Sequence, residues 1–267
     1  MRRNFPVEFV YQIFALAIAA ILVHAAYLAL VRPRAAAALE QQQAAVLADP
    51  QHVNEANVWV ILKDYEQELS IILALWGFAI MGYKFRNLGR ERELFEANLV
   101  AIADGESILP EDARGHARAL EALPTESRER LLPHLLLTAL NRFRTTRNIQ
   151  DVSDEVGRAS QGYGDRLDSE LSLVRYIAWA IPSIGFIGTV RGIGQAMGQA
   201  NRALEGDLAG VTESLGTAFN STLVALLLSM VLMFLLYQLQ QLQERLVLDG
   251  QAQCERKLIQ NLQAPQS

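Results

Sequence analysis

A run of polar residues inside an apolar segment is the most informative feature of the sequence. Between Ile181 and Ile193 the chain carries Ser183, Thr189 and Arg191 among glycines and a proline, in a stretch long enough to cross a bilayer. Lipid offers nothing that hydrogen-bonds a hydroxyl or solvates a guanidinium, so polar residues at membrane depth usually face a protein interior or a water-filled path. The pattern therefore predicts that this segment lines a pore.

Three further hydroxyl side chains lie in the next apolar segment, where Thr217, Ser221 and Thr222 stand among Leu, Val, Met and Ala. A short connection joins the two segments, so their helices must be antiparallel and hydroxyls from each can meet on one face. Such hydroxyls would hydrate an ion path. A single Ser or Thr in a membrane helix often bonds instead to a carbonyl three or four residues back. Hydroxyls on two helices beside glycines favour the ion path.

Small residues recur in the first of these segments and permit close approach of a neighbouring helix, as in small-xxx-small interfaces. Helix packing alone would explain the glycines. The residues that we assign to pore lining and helix packing are Pro182, Ser183, Gly185, Gly188 and Gly192.

No Asp or Glu is expected deep in an apolar segment, although a proton relay normally needs a titratable carboxylate. If the protein conducts protons, that carboxylate must come from a partner. Glu213 stands at the outer entrance of the last segment, and Arg191 is near the outer end of the segment before it. Arg191 is expected to tune the field at this entrance, to snorkel, or to form a salt bridge with Glu213. His24, in the first segment, is expected to be neutral and bonded to a neighbouring helix, or near the outer headgroups.

Signatures of an enzyme are missing from the sequence. It has no His/Cys/Asp/Glu cluster with metal-ligand spacing, no phosphate-binding P-loop and no nucleophile elbow. We therefore expect no catalytic residue, no metal and no cofactor. Cys254 is the only cysteine, so no intrachain disulfide can form. The net charge of −5 argues weakly against nucleic acid as a partner.

Four apolar runs approach or exceed the roughly 20 residues that a helix needs to span hydrocarbon. They are Phe9–Val31, Ser70–Phe85, Leu171–Ala200 and Leu215–Tyr237. Hydrophobic residues make up 51% of the chain while charged residues still make up 20%, so the apolar content is concentrated in these runs. The sequence predicts an all-α, polytopic membrane protein in which the third and fourth long helices extend into a cytoplasmic helical domain.

The distribution of basic residues predicts the orientation. Lys84, Arg86, Arg90 and Arg92 follow the second span immediately, which makes that loop cytoplasmic and places both termini on the same side. The outer segment should form two helical pieces broken at Asp49-Pro50. The cytoplasmic loop should be a helical bundle with stops that include Asp104-Gly105 and one long helix over residues 127–168. The predicted order is residues 1–34 (N-terminal region and span 1), 35–68 (outer helical segment), 69–85 (span 2), 86–170 (cytoplasmic domain), 171–200 (span 3), 201–214 (outer loop), 215–237 (span 4) and 238–267 (cytoplasmic helix and tail).

Residues 182–193 (PSIGFIGTVRGI) resemble the penultimate span of the MotA/TolQ/ExbB proton channel family, whose pattern is AP-x-x-G-L-x-G-T-V-x-G-I. GVTE at 210–213 and AFNSTLVA at 218–225 extend the resemblance over about 60 residues. By motif position Thr189 matches the family's pore threonine, and Thr222 is the best match for the threonine of the final span. A shift of one helical turn leaves Thr217 and Ser221 as alternatives. Arg191 departs from the aromatic that is frequent at its position, and four spans depart from the three of many members.

This resemblance implies a subunit of a proton-driven membrane motor in the bacterial inner membrane. It implies a homo-pentameric ring, surrounded by membrane lipids, whose last two spans enclose a dimer of a single-span partner similar to ExbD, TolR or MotB. That partner carries the proton-accepting Asp. The transported ion is expected to be H⁺, with Na⁺ left open because hydroxyls and carbonyls also suit sodium. A non-conducting oligomeric scaffold is the other hypothesis.

Overall fold

The computed structural model describes residues 7–48, 56–97, 99–100, 107–204 and 208–263. Within these ranges the chain is helical and contains no strand; an isolated parallel bridge joins Ile108 and Leu262. The all-α prediction is therefore confirmed. Three sequence predictions concern positions outside the described residues: the break at Asp49-Pro50, the stop at Asp104-Gly105 and the end of the C-terminal tail.

Four helical segments of the described chain are long and apolar enough to cross a membrane, namely Val7–Val46, Tyr65–Glu96, Ile149–Gly198 and Ala209–Asn261. This confirms the prediction of a multi-pass membrane protein with four spans. The helices are α1 (Val7–Ala26), a π-helical turn (Tyr27–Val31), α2 (Arg32–Ala48), α3 (Val58–Leu62), α4 (Tyr65–Glu96), α5 (Ala113–Glu121), α6 (Thr125–Arg128), α7 (Leu131–Thr146), α8 (Ile149–Glu170), α9 (Ser172–Gly198), α10 (Ala200–Leu204), α11 (Ala209–Lys257) and a 3₁₀ turn (Ile259–Asn261).

The chain divides into two compact units, the first formed by Met1–Gly82 and Leu173–Leu236 and the second by Tyr83–Ser172 and Tyr237–Ser267. In the first unit α1 and α4 are joined by polar side chains that bond to backbone carbonyls. The Trp76 indole donates to the Gln12 carbonyl at 2.9 Å, and the Tyr11 hydroxyl donates to the Ala79 carbonyl at 3.1 Å. In lipid these donors have no water to bond, so each such contact holds the two helices together.

Helix α9 passes through Pro182 without ending. Proline has no N–H, so the carbonyl four residues earlier, that of Ala178, loses its helical partner. The Ser229 hydroxyl of α11 donates to this carbonyl at 2.9 Å, and Ser229 is buried. Membrane helices tolerate proline when a neighbouring helix satisfies the freed carbonyl in this way.

The second unit is built around α7, whose buried side chains include Leu135, Leu136 and Phe143. The prediction of one continuous helix over residues 127–168 is wrong. Arg147 adopts a left-handed conformation (φ 52°) that ends α7, and the Asn148 side chain then caps α8 by accepting from the Gln150 N–H. Asn is a preferred helix cap because its side-chain oxygen satisfies a free N–H of the first turn.

Candidate ion-path site

Helices α9 and α11 of the first unit pack so closely that glycine is required between them. A Cβ on Gly185 would lie 2.6 Å from the Ala225 Cβ, and one on Gly192 would lie 2.6 Å from the Ser214 carbonyl oxygen. Contacts this short do not occur between real side chains, so both positions exclude any larger residue. The close approach brings the backbone carbonyls of each helix within reach of hydroxyls on the other.

Three hydroxyls and two carbonyls form one hydrogen-bonded cluster at this contact. Thr189 of α9 and Thr222 of α11 bond to each other directly. The Gly185 carbonyl lies 3.3 Å from the Thr189 Oγ1, 3.0 Å from the Thr222 Oγ1 and 3.3 Å from the Ser221 Oγ. The Ala218 carbonyl lies 3.0 Å from the Thr189 Oγ1 and 2.9 Å from the Ser221 Oγ. We call these five residues the hydroxyl cluster.

The two threonines occupy equivalent positions on their helices. Thr189 has the buried glycines 185 and 192 four residues before and three after it, and the exposed Phe186 and Ile193 three before and four after. Thr222 has the buried alanines 218 and 225 and the exposed Phe219 and Leu226 at the same offsets. Since residues three and four apart share a helix face, both threonines lie at the boundary between the helix contact and an exposed surface.

That exposed surface is apolar. It continues along both helices at spacings of three and four residues, and its large side chains are well over a third exposed. We call it the exposed apolar face: Trp179, Phe186, Val190, Ile193, Met197, Phe219, Leu223, Leu226 and Met230.

The remaining residues of the sequence prediction lie near the cluster without entering its hydrogen bonds. Ser183 donates to the Trp179 carbonyl of its own helix at 3.1 Å. Thr217 is buried one turn before Ser221, and Pro182 breaks the hydrogen-bond ladder of α9 as described above. Gly188 adjoins the cluster, since a Cβ there would lie 2.6 Å from the Ser221 Cβ.

Arg191 does not form the salt bridge with Glu213 that the sequence suggested. Its Nη2 donates to the Glu66 carboxylate at 2.7 Å, and it lies 4.0 Å from Asp64. Glu213 instead lies 3.5 Å from Lys63. Glu66 is not among the predicted site residues, because the apolar run predicts that the second span begins near Ser70, whereas α4 begins at Tyr65.

A signal for the earlier start is present in the sequence. An Asp at position 64 followed by two acidic residues in the next turn is typical of a helix N-terminus. Both acidic residues, Glu66 and Glu68, are buried.

Glu68 points to α1 rather than to α9. It lies 2.6 Å from the His24 Nδ1 and accepts from Arg32 at 2.7 Å. His24 is thus bonded to a neighbouring helix, one of the two arrangements expected from the sequence. Glu66 and Glu68 are two residues apart and therefore pair with different helices, so the first turn of α4 ties α1 to α9.

A sequence model of the MotA/TolQ/ExbB proton channel family matches residues 127–251. The matched region contains α9 and the membrane part of α11, and with them the whole hydroxyl cluster. The MotA/TolQ/ExbB match confirms the resemblance seen in the motifs and implies a channel-type subunit of a membrane energy-transducing system. Among curated proteins, none matches the chain.

Proposed function

We propose that this chain is the channel-forming subunit of a complex that uses the proton-motive force across the bacterial inner membrane. The observation that carries the proposal is the position of the Thr189–Thr222 pair. The two hydroxyls meet across α9 and α11 at the edge of the exposed apolar face, so a helix packed against that face would bring its side chains next to them.

The partner would be a single-span protein similar to ExbD, TolR or MotB, present as a dimer inside a ring of five copies of this chain. Its apolar helix would cover the exposed apolar face, and its Asp would reach the threonine pair. The Asp is assigned to the partner because the hydroxyl cluster supplies hydroxyls but no carboxylate to the exposed apolar face. Both termini of the chain would be cytoplasmic.

Protons moving down their gradient would neutralise the partner's Asp beside Thr189 and Thr222. A neutral carboxyl can cross an apolar face at far smaller free-energy cost than an ionised one. Each charge that crosses yields about 2.3 kcal/mol per 100 mV. Loading and unloading of successive Asp side chains would then drive rotation of one component relative to the other.

The test is proton flux into lipid vesicles that contain the chain and its partner, purified together. Replacing Thr189 and Thr222 by Val keeps their shape and removes both hydroxyls, and we expect flux to fall by about a hundredfold. Thr212→Val is the matched control, because this residue is exposed and its hydroxyl donates to the nearby Leu208 and Ala209 carbonyls, outside the hydroxyl cluster. Wild-type flux in the double variant would overturn the proposal.

Two alternatives are judged by the same measurements. A non-conducting scaffold is favoured by the close glycine packing, and it predicts an intact oligomer with full function after both threonines are replaced. Sodium coupling is favoured by the carbonyl and hydroxyl oxygens of the hydroxyl cluster, since hard cations prefer oxygen ligands. It predicts a flux that depends on sodium and not on pH.

A further inference from the structure

Glu66 lies near the hydroxyl cluster, on the side of α9 opposite the exposed apolar face. A Cβ on Gly188 would lie 3.1 Å from the Glu66 Cγ and 2.6 Å from the Ser221 Cβ. The carboxyl stem of α4 and the Ser221 side chain of α11 therefore meet over the same glycine of α9. Ser221 in turn shares both carbonyl acceptors with Thr189. A buried carboxylate of this chain thus lies beside the serine that shares its acceptors with Thr189.

A second polar atom on the same face of α4 has no partner. Ser70 follows Glu66 by one helical turn, is 1% exposed, and its Oγ makes no hydrogen bond among the described residues. A buried hydroxyl without a partner is rare in proteins and is usually satisfied by water or by a mobile ligand. Together with Glu66 it forms a buried polar strip on one face of α4.

Arg191 is bonded to Glu66 but has a second carboxylate nearby. The Nε atom lies 2.7 Å from the Glu66 Oε1 but does not direct its hydrogen at it, so only the Nη2 contact is a hydrogen bond. Asp64 lies 4.0 Å from Nη2, and its Oδ2 atom is buried and has no hydrogen-bond partner in the described part of the chain. The guanidinium therefore has a second carboxylate within a short movement.

We propose that Glu66 is a proton-exchange site of this chain, which serves the hydroxyl cluster through Ser221 while Arg191 moves between Glu66 and Asp64. A proton from the outer water adds to the Glu66 carboxylate, and Arg191 transfers its hydrogen bond to Asp64. The neutral Glu66 acid then donates that proton to the Ser221 hydroxyl. As Ser221 and the threonine pair turn their own protons away from the two carbonyls, one proton passes to the carboxylate of the partner. Glu66, ionised again, recovers Arg191. This inference rests on the proposed function for its final acceptor.

The charges around Glu66 fit such an exchange. Arg191 faces Glu66 from α9, and Asp64 lies just before α4. Lys63 lies 3.5 Å from Asp64 and also 3.5 Å from Glu213 of α11. Arg191 thus always keeps one anionic partner. Loss of the negative charge on Glu66 does not leave a guanidinium unpaired at a partly buried position, which would be strongly unfavourable.

The test compares two neighbouring carboxylates. Glu66→Gln and Glu68→Gln each remove one buried carboxylate from the first turn of α4, but Glu68 faces His24 and Arg32 and not the hydroxyl cluster. Proton flux is measured in vesicles that contain the chain with its partner, over a range of outer pH at fixed membrane potential. We expect Glu66→Gln to lower flux about tenfold or more and Glu68→Gln to retain wild-type flux. Equal flux in the two variants would overturn the inference.

A double variant separates proton exchange from simple charge balance. Glu66→Gln/Arg191→Gln removes both charges, so a merely structural role would be restored, and wild-type flux in this variant would also overturn the inference.

Infrared difference spectra of the chain alone, taken between acidic and neutral pH, give a readout that needs neither flux nor partner. We expect the protonated-carboxyl band to contain a component that Glu66→Gln removes and Glu68→Gln keeps; the same band in both variants would contradict the inference. Wild-type flux in the Thr189/Thr222 double Val variant would refute the proposed function, whereas the infrared band reports on Glu66 independently.

Discussion

Replacement of Gly192 by Ala should separate α9 from α11 and disrupt the hydroxyl cluster. The added Cβ would lie 2.6 Å from the Ser214 carbonyl oxygen and 2.8 Å from the Ala218 nitrogen. Both are backbone atoms, so no side-chain rotation relieves the overlap. The helices must move apart until these contacts reach the ordinary range, which begins at 3.4 Å.

The size of the effect follows from these distances. Opening the contact from 2.6 Å to 3.4 Å would lengthen the 3.0 Å bond from Thr189 to the Ala218 carbonyl to about 3.8 Å, beyond hydrogen-bond range. Overpacking costs about 1–3 kcal/mol, and the lost hydrogen bond costs about 1 kcal/mol. The better helix propensity of Ala offsets about 1 kcal/mol of this. We expect a net loss of about 1–3 kcal/mol of stability.

Gly194→Ala is the matched control, because a Cβ at Gly194 meets no atom within 4 Å. It carries the same gain in helix propensity on the same helix without the overlap. The assay is the thermal unfolding midpoint of the purified protein in detergent, followed by proton flux in vesicles. Gly192→Ala should lower the midpoint and the flux, and Gly194→Ala should leave the midpoint unchanged or raise it. Equal midpoints for the two variants would refute the packing argument.

Three further outcomes are expected. Ser229→Ala should lower the unfolding midpoint by an amount equivalent to about 1–3 kcal/mol, because the Ala178 carbonyl freed by Pro182 loses its donor; an unchanged midpoint would contradict this role. Burial raises the pKa of Glu91, so the folded chain binds a proton more readily than the unfolded chain. The stability that this proton contributes is fully present below the ordinary carboxyl pKa and is lost as pH rises through the raised pKa. Glu91→Gln should therefore reduce the pH dependence of the thermal unfolding midpoint. Burial also raises the pKa of the Cys254 thiol to about 12, so maleimide should label it at neutral pH only after unfolding, and rapid labelling of the folded protein would exclude the buried position.

The spans and the helical class follow from hydropathy, because a long apolar run that crosses a membrane has to form a helix. Helix ends are set by more local effects. The break at Arg147 depends on one residue in the left-handed conformation and on the following Asn148 cap. The surrounding sequence is rich in helix formers, and its pattern favours continuation. The start of α4 at Tyr65 was missed for a related reason, since charged residues at the end of a span lower its hydropathy even when they are buried.

Residue types and the family motif predict the three hydroxyls of the cluster and Gly185 as site residues, but neither the Ala218 carbonyl nor any of the bonds. The close approach at Gly185 decides which carbonyls the hydroxyls reach, and this depends on the axial alignment of α9 and α11. Sequence spacing does not determine that alignment. The pairing of Arg191 with Glu66 likewise joins residues 125 positions apart, on helices whose order in space no sequence pattern specifies. The bond from Ser229 to the Ala178 carbonyl likewise has no sequence signal, since a single serine in a span is usually bonded within its own helix.

The direction of the hydrogen bonds in the hydroxyl cluster bears on the protonation state that it would select in the proposed partner. Each hydroxyl has one proton: one threonine donates to the other, and the remaining two hydroxyls donate to the two carbonyls, so the cluster uses its donors internally and leaves hydroxyl lone pairs free. Such a site accepts a hydrogen bond from a protonated carboxyl and offers little to an ionised one. An Asn in place of the partner's Asp always presents an N–H donor. We therefore expect that variant to copurify with the chain at least as well as the wild-type partner while flux is lost; weaker copurification at neutral pH would mean that the hydroxyl cluster binds the ionised acid instead.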